Sequence, residues 1–392
     1  MNKRGQSSII VLATMLIVCI LGLAACSSGV SGSSASGAAS TASSATNATS
    51  ASSAANTSSA TETTITDMLG REVDVPANPQ RIIGIGSSSL RLISYLQAID
   101  KVVGVEQSEQ EDSVTCTYRH VNHELFAQLP VIGEGGSKGV TPNEEAIIGV
   151  SPDLIIASVD KDTADALQAK VNAPVVCITL SDIVFDEVFY DNVKMVGEVL
   201  GKQQRASSIV TYMKDIEVDL TARTVNAQTK SAYAAGISYR GGHGFAGTEA
   251  GFAPFSINNV VNIADEGVAP GCFDIDLEQV SAAQPDFIFV ESGNIGLVKE
   301  DVENNPVYFE NLEAVKNGNV YSLVSYRFYA TNTDLALANC YQVGCAVYPD
   351  QFNGIDPTQK LDEISEFFLG APLSEDLAEA GCAFQKYDLM SL

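Results

Sequence analysis

Two Tyr-Arg pairs, Tyr239-Arg240 and Tyr326-Arg327, close apolar runs in a chain otherwise poor in positive charge, with 22 basic residues against 48 acidic ones. A guanidinium donates paired hydrogen bonds to carboxylates and catecholate oxygens, and a tyrosine offers flat contact area with a polar tip. With His243 and Tyr329 these residues suit a mid-sized, anionic, partly aromatic ligand. A second group lies earlier in the chain. Ser87, Ser88, Ser89 and Arg91 follow the apolar run Ile82–Ile85, Tyr118 opens a polar segment ending at His123, and Gly135, Gly136 and Ser137 form a glycine-rich loop. Serines before a helix are good caps, and the helix N-terminus there would present free N–H groups to an anion. No GxxxxGK[ST] loop is present, and Gly84-Ile85-Gly86 lacks the third glycine of a dinucleotide fingerprint.

Other chemistries are weaker in the sequence. His120 and His123 are three residues apart and share a helical face; with His243 and a carboxylate they form an alternative set for bare zinc or manganese. Ser158-Val159-Asp160-Lys161 fits the SxxK pattern of penicillin-recognising serine enzymes, but no KTG accompanies it, so no enzyme is expected. Arg91, on a helix, has a solvated surface position as its rival assignment.

The elements that position these residues follow from an internal repeat. Residues 143–158, NEEAIIGVSPDLIIAS, return as residues 276–292, DLEQVSAAQPDFIFVES. In both, a glutamate (Glu145, Glu278) stands seven residues before a Pro-Asp pair, and the copies are 133 residues apart (278 − 145). Helical spacing precedes each proline, which ends the helix, and a short unbroken apolar run follows, as in strands covered on both faces. The fold class expected is α/β with two Rossmann-like lobes. In open sheets of that kind ligands bind beyond the carboxyl ends of the strands, where the Arg, Tyr, His and Ser groups above all fall.

In chain order, residues 62–81 read as a β-hairpin about Met68-Leu69-Gly70. Strand Arg81–Ile85, helix Leu90–Ala98 and strand Lys101–Glu106 follow, and strand Val175–Leu180 completes the first lobe. A helix from Asp186 ends near Gly201, and Gln203 to about Arg223 forms a second helix with no strand returning, hence a connector. Strand Ala232–Ser238, a Gly/Ala-rich loop, helix Phe255–Ala264, the second repeat copy, strand Val320–Val324 and the closing helices Thr333–Val347 and Leu361–Leu369 make the second lobe. The expected division is an export signal over 1–25, a Ser/Ala/Thr tether over 26–61, an N-terminal lobe over 62–201, a connecting helix over 202–226 and a C-terminal lobe over 227–392.

Residues 1–25 carry Lys3 and Arg4, an apolar run and small residues before Cys26, the pattern of an export signal. The tether buries too little apolar area to offset its chain entropy, which predicts disorder. All 48 acidic residues and 20 of the 22 basic ones follow it, so the body carries a net −28, which excludes nucleic acid as a partner. Six cysteines follow Cys26. Cys177 and Cys340 read as core residues, and Cys272 and Cys382, each after a glycine, as candidates for pairing.

MLGREVDVPANPQRIIGIGSSSLRLISYLQAIDKVVGVE, PNEEAIIGVSPDLIIAS, NPVYFENLEAVKNGNVYSLV and AVYPDQF together resemble the iron-complex (siderophore), haem and corrinoid substrate-binding proteins of ABC importers, from about Thr66 to Phe368. The resemblance implies two lobes joined by a single long helix, ligand held between them, small hinge motion and no resident cofactor. It also implies docking on an ABC permease, and so its ATPase, through one glutamate per lobe. Glu145 and Glu278 match those positions, with Glu144 leaving a one-residue ambiguity. Leu23-Ala24-Ala25-Cys26 resembles a bacterial lipobox, implying lipidation of Cys26 and an extracytoplasmic protein anchored to the cell membrane. The expected cargo is a ferric-siderophore-like chelate. Haem or a corrinoid is the alternative within the family, and the lack of tryptophan counts against the corrinoid.

Overall fold

The computed structural model describes residues 62–136, 139–181 and 183–392. The export signal, Cys26, the tether and Ser137 lie outside the described residues.

Eight short strands build two central sheets: Ile82–Ile85 (β1), Val102–Gly104 (β2), Leu154–Ala157 (β3), Val175–Cys177 (β4), Lys230–Ala235 (β5), Val260–Asn262 (β6), Phe287–Glu291 (β7) and Val320–Leu323 (β8). Both sheets are parallel, with orders β2-β1-β3-β4 and β6-β5-β7-β8. The same strand order is used twice, so the α/β two-lobe reading of the sequence holds. Helix Gln203–Thr224, about 33 Å long at 1.5 Å per residue, connects the two halves.

Side chains alternate along each strand, and the alternation sorts them into different cores. Ile82, Leu154, Ile156, Val176, Ala232, Ala234, Phe287 and Phe289 all enter one continuous apolar cluster. Ile209, Met213, Ile216 and Leu220 of the connecting helix and Leu335, Leu337 and Val343 of helix Thr333–Val347 join it. The intervening strand residues face outward into two separate clusters, one per lobe, which hold Ile83, Ile155 and Val175, and Tyr233, Ile288 and Val290. The closing helix Pro357–Leu369 packs back on the first lobe. Phe368 meets the Tyr95 ring edge-on at 4.8 Å, and Arg205 of the connector donates to the carbonyls of Tyr95 and Phe367.

The repeat has a clear local physics. Helix Glu144–Val150 is capped by Asn143 and ends at Ser151 with φ 48°; helix Leu277–Ala283 is capped by Asp276 and ends at Gln284 with φ 44°. After each proline the aspartate reaches across to the first strand of its own sheet. Asp153 accepts the N–H groups of Gln80 (2.7 Å) and Arg81 (2.9 Å), and Asp286 accepts the N–H (2.9 Å) and hydroxyl (3.2 Å) of Ser231. The motif thus ends a helix, starts a strand and sets its neighbour with one carboxylate.

Some elements differ from expectation. Phe255–Ala264 is not one helix: Ala253–Ser256 makes a single turn, and β6 follows. Asn259 turns left-handed at φ 55°, and the Asn258 amide bonds the carbonyls of Pro254 (2.9 Å) and Cys340 (2.8 Å), so side-chain bonding replaces the helical ladder. The Gly/Ala-rich loop contains a strand, Gly247–Ala250, antiparallel to Gly271–Asp274. Helix Lys161–Val171 carries a weak apolar signal and starts on an Asp160 cap. Cys382 bears a free thiol, so the Cys272–Cys382 pairing is not formed; Cys177 and Cys340 are buried as expected. Among the described residues no helix is long and apolar enough to cross a membrane.

Asp153→Ala and Asp286→Ala should each lower the unfolding free energy by about 1–2 kcal/mol, the loss of charge-assisted bonds at partly exposed strand ends. Urea titration should show a lower midpoint at unchanged slope.

Candidate functional site

Segments that follow the strand ends of both sheets enclose a cleft of about 610 Å³. Gln107, Ser108, Arg119, Gly135 and Gly136 come from the first lobe; Ser238, Tyr239, Arg240, Asn294, Arg327, Phe328 and Tyr329 come from the second. Arg240, Tyr329 and Ala330 have φ of 50°, 52° and 69°, a conformation that costs a non-glycine residue about 1–2 kcal/mol and clusters at sites where geometry matters more than comfort.

In the second lobe, Arg327 is held by Glu249, to which its Nε donates at 3.0 Å and its Nη2 more closely. The hydroxyl of Tyr326 donates to the same carboxylate at 2.9 Å, and the ring is fully buried beneath the Arg327 guanidinium. Tyr326 therefore does not line the cleft, contrary to expectation; it positions Glu249. His243 is also displaced from the expected role. Its ring stacks on Tyr239 at 3.8 Å, Nδ1 pairs with Asp274 at 3.0 Å and Nε2 meets the Tyr239 carbonyl at 2.9 Å, so both nitrogens are engaged in bracing Tyr239. Arg240 is exposed, and among the described residues nothing pairs with it.

In the first lobe, Arg91 is the main correction: it is 1% exposed and entirely internal. Nε donates to Asn332 Oδ1 (3.2 Å), Nη1 to Ser88 Oγ (2.8 Å), and Nη2 to the carbonyls of Phe328 (3.1 Å) and Tyr329 (2.7 Å). It clamps the 326–332 loop of the second lobe onto the first. Tyr118, stacked 4.9 Å beneath Arg91, gives its hydroxyl to both oxygens of Glu109 and is also internal. Ser87 is half-buried and lies off the cleft; Ser88 turns left-handed and holds Arg91 rather than capping the helix, and Ser89 donates to Ile85 O.

The sequence places the Tyr118–His123 segment at the site without singling out Arg119. It follows Tyr118 on one helix, so inward Tyr118 and cleft-facing Arg119 differ by one step of helical phase. Its Nε donates to Glu109 Oε2 at 3.0 Å, its guanidinium lies over the rings of Phe328 and Tyr329, and its buried Nη2 has no partner among the described residues. Phe328, 39% exposed, adds an apolar wall. Glu111 and Glu134 also reach the lining. Behind it stands Glu106, whose carboxyl burial above all, helped by the charge of Glu109, pushes up to about 7 despite bonds from Gly86 N–H (2.9 Å) and the Tyr329 hydroxyl (3.1 Å).

The rival chemistries are not assembled. His120 sits between Asp112 (2.8 Å) and Asp376 (3.2 Å); burial pulls its pKa down, but these two bonds prevail and raise it. Among the described residues no group of three or more His, Cys, Asp or Glu is placed to hold a metal ion. Ser158 Oγ is buried without a protein partner while Lys161 is exposed, so no base activates that serine.

Residues 82–326 match the model of a family described as periplasmic binding protein. The chain belongs to that family. Among curated relatives it is 26% identical over 167 residues to an uncharacterized ABC transporter substrate-binding lipoprotein, YvrC, of Bacillus subtilis (42% of this chain, 48% of the relative). It is 25% identical to the Fe(3+)-citrate-binding protein YfmC of the same organism (46% and 56%) and 22% identical to its petrobactin-binding protein YclQ (67% and 80%). The match thus spans about half the length of the first two relatives. A periplasmic solute binding protein from Veillonella parvula shares the fold at a TM-score of 0.63 and 16% identity, over 82% of this chain and 97% of that one.

Within this periplasmic binding protein the paired glutamates are equivalent in three dimensions. Glu145 and Glu278 are each two residues beyond the helix cap and exposed, whereas the neighbouring Glu144 pairs with Lys170 at 2.6 Å.

Arg91→Met should destabilise the protein by about 3 kcal/mol or more, since it strands several buried acceptors. Arg240→Ala should change stability by less than about 0.5 kcal/mol, as for other exposed residues. Denaturant unfolding of the two variants checks the contrast.

Proposed function

We propose that this chain is the extracytoplasmic solute-binding protein of an ABC importer and that its cleft captures an anionic ferric chelate of the siderophore class. The observation that carries this reading is the lining itself. Among the described residues nothing pairs with Arg240 and the buried Nη2 of Arg119 has no partner, while Tyr239, Phe328 and Tyr329 offer flat walls around them. Carboxylate or catecholate oxygens of a chelate would accept from the two arginines while the rings pack against its organic shell. The relatives named for ferric citrate and for petrobactin support this substrate class.

The cleft is preformed. Separating the lobes would break the continuous core and pull the 326–332 loop off Arg91, so binding proceeds with little closure. Delivery would use the symmetric acids Glu145 and Glu278, docking on basic pockets of the permease that works with its ATPase. Lipidation at Cys26 would hold the body at the membrane. In this reading the lobes span 62–201 and 227–392 about the 202–226 connector, with the closing helices returning to the first lobe. Haem would need an iron ligand in the cleft; His243 has both nitrogens engaged elsewhere, which leaves Tyr239 and Tyr329 of the lining as the ligands for that alternative cargo.

Fluorescence-quench titration against ferric citrate, a siderophore panel, haem and cobalamin tests the cargo. Arg240→Ala should weaken an anionic chelate by more than about tenfold, or about 1.4 kcal/mol; unchanged affinity removes Arg240 from the site. Glu145→Lys with Glu278→Lys should stop uptake and spare binding, and loss of binding instead would refute the docking role.

A further inference from the structure

The cleft poses an electrostatic problem for an anionic ligand. Its arginines Arg119 and Arg327 are already neutralised by Glu109 and Glu249. Glu111 and Glu134 share the lining, and two more buried carboxylates, Glu106 and Glu291, stand behind its walls. With every acid ionised, the described residues around the cleft would repel the cargo proposed above.

The buried acids differ in how their oxygens are held. Glu109 is bound by Tyr118 and Arg119, and Glu249 by Tyr326 and Arg327. Glu291 accepts from the Ser238 N–H (3.2 Å), the Ser238 hydroxyl and the Ser325 hydroxyl (3.0 Å). Glu106 alone among these four keeps a buried oxygen, Oε1, with no partner among the described residues. It is 2% exposed, yet only a thin layer separates it from the cleft. A Cβ on the lining residue Gly135 would come within 2.7 Å of both Glu106 Oε2 and Ser108 Oγ. Its other oxygen joins the lobes, taking the Gly86 N–H from one and the Tyr329 hydroxyl from the other.

We infer that Glu106 takes up a proton when an anionic ligand enters the cleft, so that capture is tighter at mildly acidic than at mildly alkaline pH. The inference rests on the anionic-chelate reading. The groups that face Glu106 are Glu109 and Arg119 from the polar segment, Tyr329 from the second lobe, and the Gly86 N–H. Burial, first, and Glu109 place its carboxyl near 7 in the empty protein. A negative ligand beside it raises that value further. Below about 7 the acid is already protonated and affinity is flat; above it, binding must draw a proton and weakens by up to tenfold per pH unit. Neutral Glu106 also has an O–H to donate, which an ionised carboxylate lacks.

Calorimetric titration of the purified protein with ferric citrate, between about pH 6 and 8.5 in buffers of different ionisation enthalpy, reads both affinity and protons exchanged. The wild type should take up on the order of one proton at the alkaline end and bind progressively more weakly. Glu106→Gln should bind with no proton uptake and a flattened profile, whereas Glu291→Gln should keep the wild-type slope. Wild-type binding without proton uptake, a Glu106→Gln profile as steep as wild type, or flattening confined to Glu291→Gln would each overturn the assignment while leaving the chelate reading intact. Failure of the wild type to bind ferric citrate or any chelate of the panel at every pH would overturn both.

Discussion

One apolar core, shared by one face of each sheet, is what the rest of this structure depends on. Because Ile156 and Val176 of one lobe and Ala234 and Phe289 of the other belong to the same cluster as the connecting and closing helices, the lobes are two halves of one packed body. Burial on this scale is cooperative: parting the halves would return many large side chains to water at once. Under the proposed function, a cleft built on such a frame would gain affinity through preorganisation rather than closure.

Polar bonds then fix what the core leaves loose. The loop bearing Arg327, Phe328 and Tyr329 leaves β8 of the second lobe, yet Arg91, Glu106 and the Thr115 carbonyl (through Asn332) tie it to the first. The left-handed Tyr329 and Ala330 are held in place by these bonds, which is how a strained turn persists. Charge is distributed with equal economy. The cleft arginines Arg119 and Arg327 each carry a carboxylate partner and the deeper Arg91 is held by neutral oxygens, because a buried guanidinium without acceptors is costly to desolvate. Among the described residues nothing pairs with exposed Arg240.

Much of the fold was legible in the residues. The duplicated glutamate–Pro-Asp–apolar unit announced two equivalent halves, since proline must end a helix and an unbroken apolar run must be covered on both faces. Where side chains compete with the backbone, the pattern misled: Asn258 and Asn259 break the apparent 255–264 helix and leave a strand. The site was legible by position but not by orientation. Arg240, Arg327, Tyr239, Tyr329 and Gly136 line the cleft, whereas Arg91, Tyr118 and Tyr326 stand near it and turn inward, and Arg119 was not singled out beside Tyr118.

The amino-acid sequence by itself determined the class of fold, the doubling of its plan and the place along each strand where polar chemistry gathers. These follow from local periodicity and from residues such as proline whose covalent geometry permits few conformations. Only the tertiary structure decided which arginines are bound within the protein and which stands exposed at the cleft. That outcome depends on partners far apart in the chain, Asn332 for Arg91 and Glu249 for Arg327, and a polar contact across such a distance leaves no local pattern to read.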